Sequence, residues 1–208
     1  MSTLRYGEIF DHAWGQIKDK LPLVAGLTLV YFLATSVFSW IPSLGLFMSG
    51  FIHAGYVVCL LKIRDSNELS FNDFFWPFLD FNRLLQMALF LMIFSFLIGF
   101  GFILLVIPGI YLVVALSLGS LYFVTRKPDA IEAIKMSLHL ISNHWWQMFG
   151  LLILICLLNI AGAICFGIGL LLSMPMSVFI LLRALDVLEK SSAEAPKTQQ
   201  VSTENPTS

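Results

Sequence analysis

From Leu84 to Thr125 the chain carries no Asp, Glu, Lys or Arg. About 20 apolar residues cross the ~30 Å hydrocarbon core of a bilayer, so this stretch is too long for one crossing. Pro108-Gly109 falls where a return turn is needed, because both residues interrupt helices. The stretch therefore predicts two spans joined as a hairpin. Composition extends the point to the rest of the chain. Of 208 residues, 58% are hydrophobic and 12% charged, with mean hydropathy +0.87, which is more apolar than a water-facing surface permits. A formal net charge of −1 argues against a nucleic-acid partner, since phosphate binding calls for a basic excess.

Six apolar stretches of membrane length follow, at roughly 21–40, 44–62, 84–105, 109–125, 146–166 and 168–188. They come as three pairs with short, uncharged linkers: Trp40-Ile41-Pro42-Ser43-Leu44-Gly45, Val106-Ile107-Pro108-Gly109 and Cys165-Phe166-Gly167-Ile168-Gly169. The twelve Lys and Arg residues all fall at the bases of these hairpins or in the termini, and none at a tip. Because cations are retained in cytoplasmic loops, both termini are expected in the cytoplasm and the tips on the opposite side. Residues 1–20 carry Glu8, Asp11 and Asp19 rather than a basic leader, so no cleaved signal peptide is expected and Leu21–Trp40 should stay in the membrane. Cys59, Cys156 and Cys165 have neither disulfide nor zinc spacing and read as small core residues.

Helical periodicity recurs between the hairpins. In Asp129–Trp146, Ile131, Ile134, Leu138, Ile141 and Trp145 fall on one side, and Glu132, Lys135, His139, Ser142 and Asn143 on the other. Asp129 followed by Glu132 predicts an N-cap with an acidic third position. Residues 6–20 repeat the pattern with Phe10, Trp14, Ile17 and Leu21 against Asp11, Lys18 and Asp19. A third, degraded copy has Ser70 and Asp73 as caps, Phe71, Phe74, Phe75 and Phe78 as apolar mass, and Pro77 to stop it. Sliding the chain by 62 residues aligns Trp14 with Trp76, Leu23 with Leu85 and Arg64 with Arg126; sliding by 124 aligns Glu8 with Glu132, Gly26 with Gly150 and Gly45 with Gly169. One offset is twice the other, which points to three same-orientation copies.

The expected fold is thus an all-α integral membrane protein: six transmembrane helices as three hairpins, each preceded by an amphipathic interfacial helix. Residues 1–188 form one membrane domain with units at about 6–64, 70–126 and 129–188, and 189–208 a disordered cytoplasmic tail rich in Ser, Thr, Gln, Glu and Pro. The interfacial helices are equally suited to lipid or to packing beneath the bundle. Gly50 with Ala54, Ser95 with Gly99 and Ala115 with Gly119 are small-residue pairs that permit close helix approach. Five Trp residues, at 14, 40, 76, 145 and 146, suit an interfacial belt.

Pro108-Gly109-Ile110-Tyr111, the helix start Asp129 with Glu132-Ala133-Ile134-Lys135-Met136-Ser137, and His144-Trp145-Trp146-Gln147-Met148-Phe149-Gly150 resemble a recurrent bacterial signature. It is similar to that of six-span inner-membrane proteins of the YciC-like kind and of the membrane domain of glycerophosphodiester phosphodiesterases. Tyr6-Gly7-Glu8-Ile9-Phe10 is also similar to how those chains begin. The resemblance implies a bacterial inner-membrane bundle. It carries over no hydrolase activity, which in the phosphodiesterases belongs to a separate soluble domain.

Polar residues within the spans are the candidate site. His53 lies near the middle of the second span, where an ionisable group is costly; it reads either as functional or as a neutral imidazole bonded to a neighbouring span, the second reading being preferred because no Asp or Glu lies mid-span. Asn159, deep in the fifth span, suits an interhelical hydrogen bond, with Thr35 one repeat-offset away. Arg183 and Asp186 are three residues apart and can share a face, either to hold a lipid phosphate or acidic partner or as a snorkelling pair. Arg83, with Gln86, reads the same way at the start of the third span. His139 and His144 are five apart, which is wrong for shared metal ligation, and no nucleophile or phosphate-loop motif is present. No catalytic residue, cofactor or metal is expected. The sequence favours a non-enzymatic protein of the bacterial inner membrane that binds lipid or a membrane-protein partner in envelope maintenance or assembly; a transporter or permease for a small or amphiphilic solute is the alternative.

Overall fold

The computed structural model of the chain describes the backbone of residues 5–38, 40, 42–66, 71–104, 106–126, 128–164 and 167–203; within these, side chains are described except at 42–47, 71, 76, 102–104, 106–108 and 193–203. The described residues are almost all helical and contain no strand: α1 Tyr6–Ile17, α2 Leu21–Phe38, α3 Pro42–Ser66, α4 Phe71–Phe74, α5 Phe81–Leu104, α6 Val106–Leu116, α7 Gly119–Arg126, α8 Ala130–Ser142, α9 Trp145–Ile164 and α10 Leu170–Thr203. A single 3₁₀ turn, Lys18–Lys20, joins α1 to α2, so Tyr6–Phe38 is one helical run. Among the described residues five helical stretches are long and apolar enough to cross a membrane: Tyr6–Phe38, Phe81–Gly101, Gly109–Arg126, Trp145–Ile164 and Leu170–Ser192. α3 is 25 residues long and carries Lys62, Arg64 and Asp65 near its end.

The breaks between helices follow local chemistry. Pro42 is the first residue of α3, and Pro108 sits in the first turn of α6. Both linkers expected to be irregular are therefore helical from Pro42 and from Val106 onward, because a first-turn proline forfeits an amide that has no intrahelical acceptor. At the third linker Gly167 takes φ +76°, and its amide donates to the Ala163 carbonyl at 3.0 Å, which ends α9 with a left-handed cap. Cys165, Phe166 and the expected cap residue Ser70 lie outside the described residues. Between α6 and α7, Ser117 Oγ donates to the Val114 carbonyl at 2.8 Å in a local turn. The backbone of α10 is helical to Thr203, within the stretch for which composition predicts a disordered tail.

Burial sorts the long helices into two kinds. Of the most apolar window of each, 17% is buried in Tyr6–Phe38, 17% in Phe81–Gly101 and 22% in Trp145–Ile164, against 56% in both Gly109–Arg126 and Leu170–Ser192. α3 belongs with the inner group, with Phe51, Ala54, Tyr56, Val57, Cys59, Leu60 and Ile63 buried. The outer helices expose Leu33, Val37, Phe96, Leu157 and Ile164, an apolar surface suited to lipid contact and too extensive for water. Cys156 is exposed on this surface, so of the two described cysteines only Cys59 is a core residue.

The short helices pack on the bundle. α1 lies on α10, α4 on α3, and α8 on α5, α6 and α7. The packing face of α1 is Ile9, Ala13 and Ile17, with Trp14 turned outward. In α8 it is Ala130, Ala133, Ile134, Ser137, Leu140 and Ile141, while Ile131 is exposed. Both faces are rotated from those read off the largest apolar side chains, because small residues mark the face where backbones approach. Ser137 Oγ donates to the Ala115 carbonyl at 2.8 Å and lies beside Gly119, while Trp145 stacks on Tyr111, so α8 runs antiparallel to α6 and α7. Gly50 meets the Leu91 side chain and not a neighbouring backbone, and Ala115 with Gly119 meets Ser137 of α8. Ser95 and Gly99 mark no close approach: Ser95 is exposed and Gly99 faces open space.

Candidate functional site: paired polar and apolar cavities

Two inner helices end against the side of a third. The last turns of α3 and α7, with a mid-length turn of α10, enclose a cavity of about 520 Å³ whose wall includes Lys62, Arg64, Asp65, Asp73, Arg126 and Asp186. Each charge has an opposite neighbour. Lys62 Nζ donates to Asp73 Oδ1 at 2.7 Å, and Arg64 Nε to Asp65 Oδ1 at 2.7 Å. Arg126 donates from Nη2 to Glu189 Oε2 at 2.5 Å and to Asp186 Oδ1 at 3.4 Å, and from Nε to Glu189 Oε1 at 3.2 Å. Among the described residues the cavity wall carries three cations and three carboxylates. One acceptor is unspent: Asp73 Oδ2 is buried and has no hydrogen-bond partner, in a side chain that is 13% exposed. Lys20 Nζ donates to the carbonyls of Ile63 and Arg64, closing the last turn of α3 beside this cavity.

A second cavity, of about 320 Å³, adjoins the first at Val124, a wall residue of both. It lies between α3 and α5, is lined chiefly by apolar side chains such as Val57, Met87, Phe90 and Phe94, and has Tyr31, Ser49, His53 and Ser120 at its edges. Both volumes fall in the range of small-ligand sites, ~300–1,000 Å³.

The residues singled out from the sequence fall in separate places. His53 borders the apolar cavity, its ring 6.1 Å from Tyr31 and 6.3 Å from Tyr56, centroid to centroid. Tyr56 in turn shares a 2.9 Å hydrogen bond with buried Thr28 across α2 and α3. Asn159 is closed within the α9–α10 interface: its Nδ2 donates to Ser177 Oγ and to the Ile155 carbonyl, both at 2.9 Å, and its Oδ1 accepts from Ser173 Oγ at 3.0 Å. This is the interhelical bond that asparagine chemistry predicts. Thr35 donates within α2, to the Tyr31 and Phe32 carbonyls. Asn159→Leu removes the two bonds to α10 and is expected to cost about 1–2 kcal/mol, read as a fall of about 2–8 °C in the melting temperature of the purified protein.

Asp186 does not pair with Arg183. Among the described residues its ionic partner is Arg126, 60 positions earlier, and Arg183 makes no ion pair. The i, i+3 spacing allows the local pair, but the guanidinium arriving from α7 takes the carboxylate together with that of Glu189. Arg83 lies with Asp80, Gln86 and Asp129 around a smaller polar cavity of about 180 Å³. There Gln86 does what was expected of Asp129. Asp129 does precede α8, but its side chain makes no capping bond; the Ala130 amide donates to Gln86 Oε1 at 3.1 Å instead. Gln86→Ala is expected to cost about 1 kcal/mol by loss of this cap, with faster hydrogen exchange confined to the first turn of α8.

Sequence reasoning missed Lys62, Asp65 and Asp73 as members of one site. The alignment of Arg64 with Arg126 under the 62-residue slide was a signal, because both line the polar cavity. Comparison with protein-family models, with curated proteins and with solved structures returned no match for this chain.

Proposed function

We propose that the chain is a non-enzymatic, six-span protein of the bacterial inner membrane, both termini cytoplasmic, that binds phospholipid within its own bundle in the service of envelope maintenance or assembly. The observation that carries this reading is the separation of the polar groups. A permease needs them along one path, whereas among the described residues His53 borders the apolar cavity and Asn159 is spent on Ser173 and Ser177 between α9 and α10. Charge collects at one end of the inner helices and adjoins an apolar crevice, which is the polarity profile of an amphiphile.

The six-span plan takes α3 as a crossing helix, supported by its 25-residue length and central burial. The threefold plan is supported by the order in which elements meet. α2 packs on α3, α5 on α6 and α9 on α10; between units, α1 packs on α10, α4 on α3, and α8 on α6 and α7. Lys62, Val124 and Asp186, one 62-residue step apart, line the same cavity. The likeness to YciC-like proteins agrees with such a bundle.

Lipid analysis of the full chain extracted with its membrane annulus and then exchanged into detergent tests the function. Phospholipid retained through the exchange is the expected result. A solute flux in proteoliposomes that His53→Ala and Arg183→Ala both abolish would favour a permease instead.

A further inference from the structure

We infer that the apolar cavity between α3 and α5 is a site for the ring of a membrane-dissolved quinone, an uncharged molecule with two carbonyl acceptors. The inference goes beyond the phospholipid reading and uses none of the charged groups on which that reading draws. Three side chains carry it. Tyr31 of α2, His53 of α3 and Ser120 of α7 border the cavity, and among the described residues none of these side chains makes a hydrogen bond. All three are half-buried. Among the described residues, the unpartnered side-chain atoms that are sealed from solvent are Asp73 Oδ2 and His144 Nδ1. The hydroxyls of Tyr31 and Ser120 and the imidazole nitrogens of His53 therefore keep accessible surface. From Phe51 to Val57 every residue but His53 is buried, so the open surface of His53 belongs to the cavity that it lines. Donors open to an apolar cavity are satisfied by whatever fills it.

Charge, depth and size narrow the ligand class. The wall runs from Tyr31 to Val57 and from Met87 to Val124, and the sequence has no Asp, Glu, Lys or Arg from Leu21 to Leu61 or from Leu84 to Thr125. An ionic ligand would have no counter-ion there. For the same reason His53 is a neutral imidazole, with one N–H to donate. His53 lies nine residues before Lys62 and Ser120 six before Arg126, about 13 Å and 9 Å of helix, below the level of charged headgroups. A cavity of about 320 Å³ takes about ten water-sized groups at ~30 Å³ each. That is one substituted six-membered ring with its oxygens, and too little for a lipid with two tails. Phe90 and Phe94 stack at 5.7 Å in the wall, and aromatic faces favour a flat ring over an aliphatic chain. A dione only accepts, which suits the O–H and N–H donors around it. Entry is from the bilayer. α2 and α5 each pack on α3 more than on one another, and both face outward, at Leu33, Met92 and Phe96. The ring enters between them and leaves its tail in the hydrocarbon.

The test uses the full-length chain in phosphatidylcholine nanodiscs, with protein-free nanodiscs as background. Radiolabelled decyl-benzoquinone is the probe; decylbenzene and decanol, which share its tail and differ in the head, are the competitors. Saturable quinone binding is expected, with both competitors about tenfold weaker, the difference that one to two net hydrogen bonds supply. His53→Leu and Ser120→Ala are each expected to weaken the quinone about fivefold, one net hydrogen bond, while decylbenzene is unaffected and helical content is kept. The wild-type competition decides alone should a variant fail to fold. Competition by decylbenzene equal to that of unlabelled quinone overturns the role given to the donors. Tighter binding of decanol overturns the ring and assigns an aliphatic alcohol. Absence of saturable binding above the protein-free background overturns the inference outright. It leaves the phospholipid reading standing, because that reading is scored by retention of phospholipid.

Discussion

Gly55→Ala is expected to lower the melting temperature of the purified protein by about 6–12 °C, the equivalent of ~3 kcal/mol in a chain of this size. A Cβ added at Gly55 would sit 2.1 Å from the Phe74 carbonyl oxygen and 3.0 Å from its carbonyl carbon. Those atoms are backbone, so no rotamer change relieves the clash. α4 would have to move off α3, taking with it the ion pair of Lys62 and Asp73. Gly26→Ala is the internal control, because nothing lies within 4 Å of its added methyl. There the substitution only improves helix propensity, and stability is expected to hold or rise slightly. Equal melting of the two variants would show that α4 does not pack on α3 in the manner described.

Gly162→Val is the second large effect. The α9 and α10 backbones meet where an added Cβ on Gly162 would lie 2.7 Å from Ser173 Oγ and 3.0 Å from the carbonyl carbon of Gly169; the reciprocal Cβ on Gly169 would lie 2.7 Å from Gly162 Cα. Valine adds two further carbons to that contact. Separating the helices there also draws Asn159 away from Ser173 and Ser177, so packing and hydrogen bonding fail together. The expected cost is about 2–3 kcal/mol, measured as earlier thermal unfolding. Combining Gly162→Val with Asn159→Leu is expected to cost less than the sum of the two, since both act through one interface. Full additivity would contradict that coupling.

Local pattern carries local structure and little else. The apolar stretches, the start of α8 after Asp129 and the break between α9 and α10 at Gly167 are legible because residues a few positions apart determine them. What brings the site together is long-range. Arg126 reaches Asp186 across 60 positions, Gln86 reaches Ala130 across 44, and Asp73 approaches Lys62 only because α4 folds back on α3. Arg183 and Asp186 illustrate the hazard: their spacing is right for a pair, and spacing cannot report a competitor arriving from another helix. The faces of α1 and α8 teach a related lesson. Weighting side chains by size selects Trp14 and Ile131, whereas close approach of backbones selects Ala13, Ala133 and Ser137.

Six crossings, with every cation on one side, is the premise beneath both the site and its lipid. Single cysteines introduced at Trp40, Asn72, Ile168 and Lys190 in a background without Cys59, Cys156 and Cys165, probed with a membrane-impermeant thiol reagent, test it directly. Trp40 and Ile168 are expected to react from outside intact cells, and Asn72 and Lys190 only after the membrane is opened. Reaction of Asn72 from the same side as Trp40 would mean that α3 does not cross, and would contradict the account.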